Sequence, residues 1–298
     1  MSALLHKLLI VGGGNMGEAL LSGFLASELV QPAQVTVIET NTERRAYLSE
    51  TYRVDVAADF TGITLRTGDV CLMAVKPQVV PAVLPKIRLH AADALLISIA
   101  AGIPLMALED ELSERAAVIR VMPNTPAMVR CGMSLISGGC NATPEHLRLA
   151  VKLFESVGRA AVIPEELQNA GAAVSGCGPA YFGLVVSALI RAGLTRGLPR
   201  ALAGELAVQT AYGTAMLLRE SGQHPESLID AVTSPGGTTI AALNQLEDAG
   251  LRAAFTAAIE AAVERAEELE DDFYPDDEDD DDDFEIELDD DDEDDTDE

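Results

Sequence analysis

Gly12-Gly13-Gly14-Asn15-Met16-Gly17 constrains this chain more than any other stretch. It follows an apolar run ending at Val11 and opens a helical pattern, so the backbone must turn sharply from a strand into a helix. Gly12 permits the turn, Gly14 lets the backbone approach a pyrophosphate, and Gly17 lets the helix pack close to the strand. The N–H groups and positive dipole end at the start of that helix then suit phosphate, and Asn15 and Met16 stand in its first turn. The opening run MSALLHKLLIVGGG reads as a first strand rather than a signal peptide, because it is short and feeds straight into the glycines.

Further apolar runs recur at Leu8–Val11, Val35–Ile38, Val70–Val75, Leu95–Ile99 and Val118–Val121, with helical stretches such as Gly17–Leu29 and Thr42–Thr51 between them. Strands that are apolar on both sides need helices on both faces, so the alternation predicts an α/β fold with a parallel, doubly wound sheet of Rossmann type. Another strand–helix–strand passage is predicted around Ser134–Ser137, Pro144–Val157 and Ala160–Ile163. After about Glu165 the pattern is helical: Ala180–Ala192, Pro199–Arg219, Pro225–Val232, Thr238–Leu246 and Ala253–Glu270, joined by turns bearing Gly or Pro. The expected division is a dinucleotide-binding domain over 1–164, an all-helical domain over 165–270 and a tail over 271–298. The Ala-, Gly- and Leu-rich surfaces of the later helices call for burial against another subunit.

The formal net charge of −29 belongs mainly to the tail, where 21 of 28 residues are acidic and none is basic. The remaining 28 acids and 20 bases make a mildly acidic body, without the clustered Lys and Arg of a nucleic-acid surface. The tail has too little apolar area to offset the entropy of ordering, so it is expected to be disordered. It reads as a solubilising appendage, with a docking arm anchored by Phe284 to Leu288 as the alternative. The longest apolar stretch, Ala94 to Leu108, is broken by Gly102 and Pro104, so no membrane partner is expected. Cys71, Cys131, Cys140 and Cys177 lack metal-finger spacing and are expected to be reduced, mostly buried thiols of a cytoplasmic protein.

Glu39 ends the second strand, where an acid accepts from an adenosine ribose 2′-OH and favours NAD. Arg44 and Arg45 nearby pull the other way, toward a 2′-phosphate and NADP, or else are simply exposed on a helix. Ala74-Val75-Lys76-Pro77-Gln78 lies at the C-terminal end of a strand, the edge where such sheets bind ligands, and Pro77 stops that strand. Asn124 and Thr125, in the turn Arg120–Pro126, offer an amide and a hydroxyl to a nicotinamide or substrate, or else satisfy their own turn. Cys177 has no base nearby in sequence and reads as a packed thiol. In Thr233–Thr239, the Gly236-Gly237 pair opens a helix, so Ser234, Gly236, Gly237 and Thr238 offer bare N–H groups to a carboxylate. Thr238 and Thr239 add hydroxyls; ordinary capping by Ser or Thr is the alternative, though capping needs neither the glycine pair nor two threonines. No lysine follows Lys152, so a reductase relying on a lysine in its helical half does not fit.

The segments GGGNMGEAL, AVKPQ, ISIAAGI, RVMPNTP, SGCGPAY, AGLTRGLPR and VTSPGGTTIAAL resemble those of the pyrroline-5-carboxylate reductase family, in that family's order, over roughly Lys7 to Arg265. The resemblance implies a Rossmann domain and a helical domain interlocked with a second subunit, as a homodimer or larger homo-oligomer. It implies NADPH, or NADH, as hydride donor, bound by Gly12–Gly17 and Ala74–Gln78, with NADPH preferred on family grounds. It also implies reduction of 1-pyrroline-5-carboxylate to L-proline, with the carboxylate on the Ser234–Thr239 loop and Thr239 as the catalytic contact near the ring nitrogen. The chain departs from that family's pattern at Cys177, where a serine is usual. It departs again at Asn169 and Ala172, in place of an acid and a threonine, and at Phe60, in place of an asparagine at the cofactor ribose.

Overall fold

Strand β1 (Leu8–Val11) leads into α1 (Asn15–Ala26), and β2 (Val35–Ile38) into α2 (Thr42–Tyr52). Then follow β3 (Asp55–Ala57), β4 (Val70–Met73), α3 (Val80–His90), β5 (Leu95–Ser98), α4 (Leu105–Asp110) and β6 (Val118–Met122). The sheet is completed by β7 (Gly132–Gly138), α5 (Pro144–Glu155) and β8 (Gly158–Val162), in the spatial order β3-β2-β1-β4-β5-β6-β7-β8. The computed structural model describes residues 5–271 and 273. The acidic run from 274 to 298, with its Phe284–Leu288 segment, lies outside the described residues.

The strands from β3 across to β6 are all parallel. The sheet is not parallel throughout: β7 runs antiparallel to β6, and β8 parallel to β7. The proline-braced turn after β6 causes the reversal. Its 3-10 turn, Thr125–Val129, ends on Arg130 in the left-handed region (φ 58°), and the chain doubles back. Successive strand residues face opposite ways, so Leu8 and Ile10 join a core with Phe24 of α1 and Phe154 of α5, while Leu9 and Val11 join another with Leu84 of α3 and Leu108 of α4.

Two elements near the binding edge have no clear sequence signal. The β3 strand is a three-residue edge. The α3 helix carries Pro81 in its first turn, where no N–H is needed, and Pro85 further in. It forms because Val80, Val83, Leu84 and Ile87 are buried against the sheet.

From residue 165 the chain is helical: α6 (Gln168–Ser175), α7 (Gly178–Thr195), α8 (Arg200–Ser221), α9 (Pro225–Ala231), α10 (Thr238–Asp248) and α11 (Leu251–Asp271). Arg120, on β6, joins this part to the sheet. Its side chain is 7% exposed; Nη1 donates to Glu165 Oε1 at 3.1 Å and Nη2 to Glu270 Oε1 at 2.8 Å. Glu165 Oε1 also takes the Leu105 N–H at 2.6 Å, and Asn169 Nδ2 donates to Glu270 Oε2 at 2.8 Å. The uncommon Asn169 thus links α6 to α11. Arg120→Met is expected to lose about 3 kcal/mol of unfolding free energy, because two carboxylates lose a buried partner. Urea denaturation with an unchanged midpoint would rule that out.

Much of the helical surface is apolar and open. Of the 18 residues in α7 only Gly178 is buried, and Phe182 and Leu184 are 70% and 73% exposed. The run Glu165–Thr195 contains an 18-residue window of mean hydropathy 1.6 and is long and apolar enough to cross a membrane by length and composition. It is broken between Ser175 and Gly178, which leaves α7 about 27 Å long at 1.5 Å per residue. The cysteine expectation needs correcting. Only Cys71 is buried, its thiol pushed up to about 12 by desolvation, whereas Cys131, Cys140 and Cys177 sit exposed at turns and a helix start.

Candidate functional site

The strand order reverses between β2, β1 and β4, so a crevice opens beyond their C-terminal ends, the usual ligand position in such sheets. A groove of about 300 Å³ lies there. Of the predicted residues, Gly12, Gly14, Glu39, Ala74, Val75 and Lys76 line it. Asp59 and Phe60, Val79 just before α3, and Val83 and Lys86 within it, also line it. The α3 residues were missed because prolines hid the helix; the valine pair four apart was the available signal.

The glycine turn has the shape that a phosphate cradle needs. Gly12 has φ 107°, and a Cβ there would lie 2.5 Å from Ala74 O. A Cβ on Gly17 would lie 2.2 Å from Gly12 O, whereas one on Gly14 would meet nothing within 4 Å. The turn is therefore tight where helix and strand touch and open toward the groove. Gly14 is the N-cap of α1 and gives no side-chain cap, so the first-turn N–H groups at Asn15 and Met16 remain for a ligand. The Met16 side chain is partly buried against the core. Lys76 caps the 3-10 turn Pro77–Val79; β4 ends earlier than expected, at Met73, so Pro77 opens this turn rather than stopping the strand.

The surroundings of Glu39, Arg44 and Arg45 are more interlinked than the sequence suggests. Glu39 Oε2 accepts from Gly13 N at 3.1 Å and Oε1 from Asn41 N at 2.8 Å. Arg44 Nε donates to Gly13 O at 2.7 Å, and its Nη2 pairs with Glu18. Arg45 donates to the carbonyls of Glu39 and Thr40 and to Thr42 Oγ1. Neither arginine is merely a solvated surface residue.

Asn124 is held elsewhere. Its Nδ2 donates to Ser175 O at 2.8 Å and its Oδ1 accepts from Met133 N at 2.8 Å, fastening β6, α6 and β7 together. It does not line the groove.

The second motif lies in the helical part. Gly237 N donates to Ser234 O at 3.0 Å, closing a turn over Pro235 and left-handed Gly236 (φ 66°), the pattern of a type II turn. Gly237 then caps α10 without any side-chain cap, so Ser234, Thr238 and Thr239 do not serve as ordinary N-caps. Thr233, by contrast, turns its hydroxyl back onto Ile229 O at 2.7 Å. The N-terminus of α10 thus offers N–H groups and two hydroxyls in one place, with Thr238 exposed and Thr239 half-buried. None of residues 234–239 lines the groove of the same chain.

A Rossmann sheet with an open glycine cradle, followed by a helical domain with a bare helix start, defines a two-domain dinucleotide-dependent reductase. Residues 7–102 match the family model of NADP oxidoreductase, coenzyme F420-dependent, and residues 165–269 that of pyrroline-5-carboxylate reductase dimerisation. A pyrroline-5-carboxylate reductase of Synechocystis sp. is 43% identical over 260 residues, 87% of this chain and 97% of the relative. That of Escherichia coli is 38% identical over 88% of this chain and 98% of its own. The Coxiella burnetii pyrroline-5-carboxylate reductase structure superposes with a TM-score of 0.83 at 32% identity, covering 89% of this chain and 98% of that one. The Plasmodium falciparum pyrroline carboxylate reductase, solved with NADP bound, gives 0.79 at 29% identity, covering 89% and 99%. The chain belongs to the pyrroline-5-carboxylate reductase family. It is an NAD(P)H-dependent oxidoreductase whose helical domain makes a homo-oligomer.

Proposed function

We propose that this chain reduces the ring C=N of 1-pyrroline-5-carboxylate to L-proline, with NADPH as the preferred donor, at a site shared between subunits. The observation that carries this reading is the uncapped start of α10, which is built for a carboxylate yet stands apart from the nucleotide groove of its own chain. Residues 1–164 form the dinucleotide half and 165–270 the substrate and dimerisation half. Gly12, Gly14, Asn15, Met16 and Gly17 form the pyrophosphate turn, Ala74, Val75, Lys76 and Pro77 the neighbouring wall, and Glu39 with Arg44 the ribose end. Asn124 acts by positioning the start of β7 against α6.

When bound, the reduced nicotinamide supplies the hydride, and the protein supplies position and electrostatics. The N–H groups at Ser234, Gly236 and Thr238 hold the substrate carboxylate, aided by the positive end of α10, while the Gly237 N–H closes the turn onto Ser234 O. The Thr239 hydroxyl sits at the ring nitrogen and steadies its charge as the amine forms. No His or Cys acid–base pair takes part. Loss of reduced-nicotinamide absorbance on adding pyrroline-5-carboxylate tests this directly; a lower KM is expected for NADPH than for NADH. Absence of turnover with both donors would sink the reading.

The apolar faces of α7 and α8 are covered by a second copy in this reading, leaving no need for a membrane or nucleic-acid partner in the cytoplasm. A Phe182→Asp, Leu184→Asp double variant is expected to sediment as a monomer and to lose nearly all activity. A variant that stays oligomeric would show that α7 is not the buried face.

A further inference from the structure

We propose that Glu18 sets how strongly the enzyme discriminates between NADPH and NADH, by restraining Arg44 beside the ribose end of the groove. This rests on the reading of Arg44 as the partner of a 2′-phosphate. Gly13 is bracketed by the two opposing groups: its N–H meets the Glu39 carboxylate and its carbonyl meets the Arg44 guanidinium. Arg44 does not itself line the groove, but it meets Gly13 next to Glu39, so a ribose against Glu39 has its 2′ substituent on the side of Arg44, whose side chain is 27% exposed.

Glu18 faces this point from the first turn of α1. One of its oxygens pairs with Arg44, and the other accepts the hydroxyls of Tyr47 and Tyr52, each at 2.8 Å. Arg44 also lies over the Tyr47 ring, 5.1 Å from its centroid. Burial pushes the Glu18 carboxyl up, but the hydroxyls of Tyr52 and Tyr47 and the guanidinium of Arg44 outweigh it and keep the group ionised below the usual carboxylate range. Arg45 has no such counter-charge among the described residues, where its contacts are carbonyls and a hydroxyl. A phosphate dianion arriving at the 2′ position must compete with Glu18 for Arg44 and is repelled by Glu18 itself. The 2′-OH of NADH meets neither cost. Glu18 is thus a positioning residue, distinct from the groups that touch the cofactor.

Glu18→Gln keeps an amide oxygen for the tyrosine hydroxyls but removes the charge and the oxygen that pairs with Arg44. It is expected to lower KM for NADPH about fivefold, with KM for NADH and both kcat values within about twofold. Arg44→Gln is expected to raise KM for NADPH about tenfold, and by more than it raises KM for NADH. If Arg44→Gln affects both cofactors alike, the reading of Arg44 fails, and this inference with it. If Arg44→Gln behaves as stated but Glu18→Gln shifts neither KM, or shifts both alike, Glu18 is only a structural tie and the inference alone is overturned. Should Glu18→Gln fail to fold, Tyr47→Phe serves instead. Removing that hydroxyl leaves Glu18 held by fewer donors and tighter on Arg44, so KM for NADPH alone rises about twofold; equal changes for both cofactors would count against the proposal.

Discussion

Replacing Thr239 with valine is expected to lower kcat about 100-fold while changing KM for pyrroline-5-carboxylate little, the signature of a contact that matters most as charge develops. Thr239 is the second residue of α10, half-buried, behind a cap that uses no side chain. The proposed carboxylate anchor is made of backbone N–H groups, which valine keeps. Only the hydroxyl is lost, and with it the group proposed to sit at the ring nitrogen. Thr239→Ser restores a hydroxyl and is expected to recover most of the rate. Steady-state kinetics decides the matter: full turnover by the valine variant would leave Thr239 with no role in the chemistry.

Gly17→Ala is expected to raise KM for either cofactor by more than about 30-fold and to cost about 2 kcal/mol of stability. The new Cβ falls 2.2 Å from the carbonyl oxygen of Gly12, a backbone atom that cannot swing aside. Helix α1 must move off β1, taking its N–H groups away from the proposed phosphate cradle. Gly14→Ala makes the informative contrast. Its Cβ meets nothing within 4 Å, so stability is expected to change by less than about 0.5 kcal/mol, while the methyl obstructs the approach of a pyrophosphate. Thermal denaturation beside cofactor titration separates the two effects. Wild-type behaviour of Gly17→Ala in both would show that the turn has slack it does not have here.

Much of the fold was legible because its strands are continuous apolar runs between helical patterns. The predicted Val35–Ile38 strand and the observed β2 coincide, and β1 ends at Val11 as read. The parallel direction followed from alternation alone, but it could not foretell β7. That strand reverses through Asn124, whose amide joins segments 9 and 51 residues away in sequence. The same amide was read as an offering to nicotinamide, since a turn residue with a free side chain and one with a committed side chain look alike in sequence. Helix α3 was illegible for a related reason: burial outweighs the proline at 85.

The sequence by itself determined the glycine cradle, the binding edge, the bare start of α10 and, through its segments together, the family. Each of these depends on neighbours within a few residues, where backbone sterics and end effects of single helices act. Only the tertiary structure decided which charged groups oppose one another. Glu18 and Arg44 lie 26 residues apart, and Arg120 and Glu270 lie 150 apart, yet each pair meets because the sheet and its helices bring distant segments to contact. Tertiary structure likewise separated the Ser234–Thr239 loop from the groove in one chain and left α7 open. Those two facts follow from how helices pack, which is why they point to a second subunit rather than to any further motif.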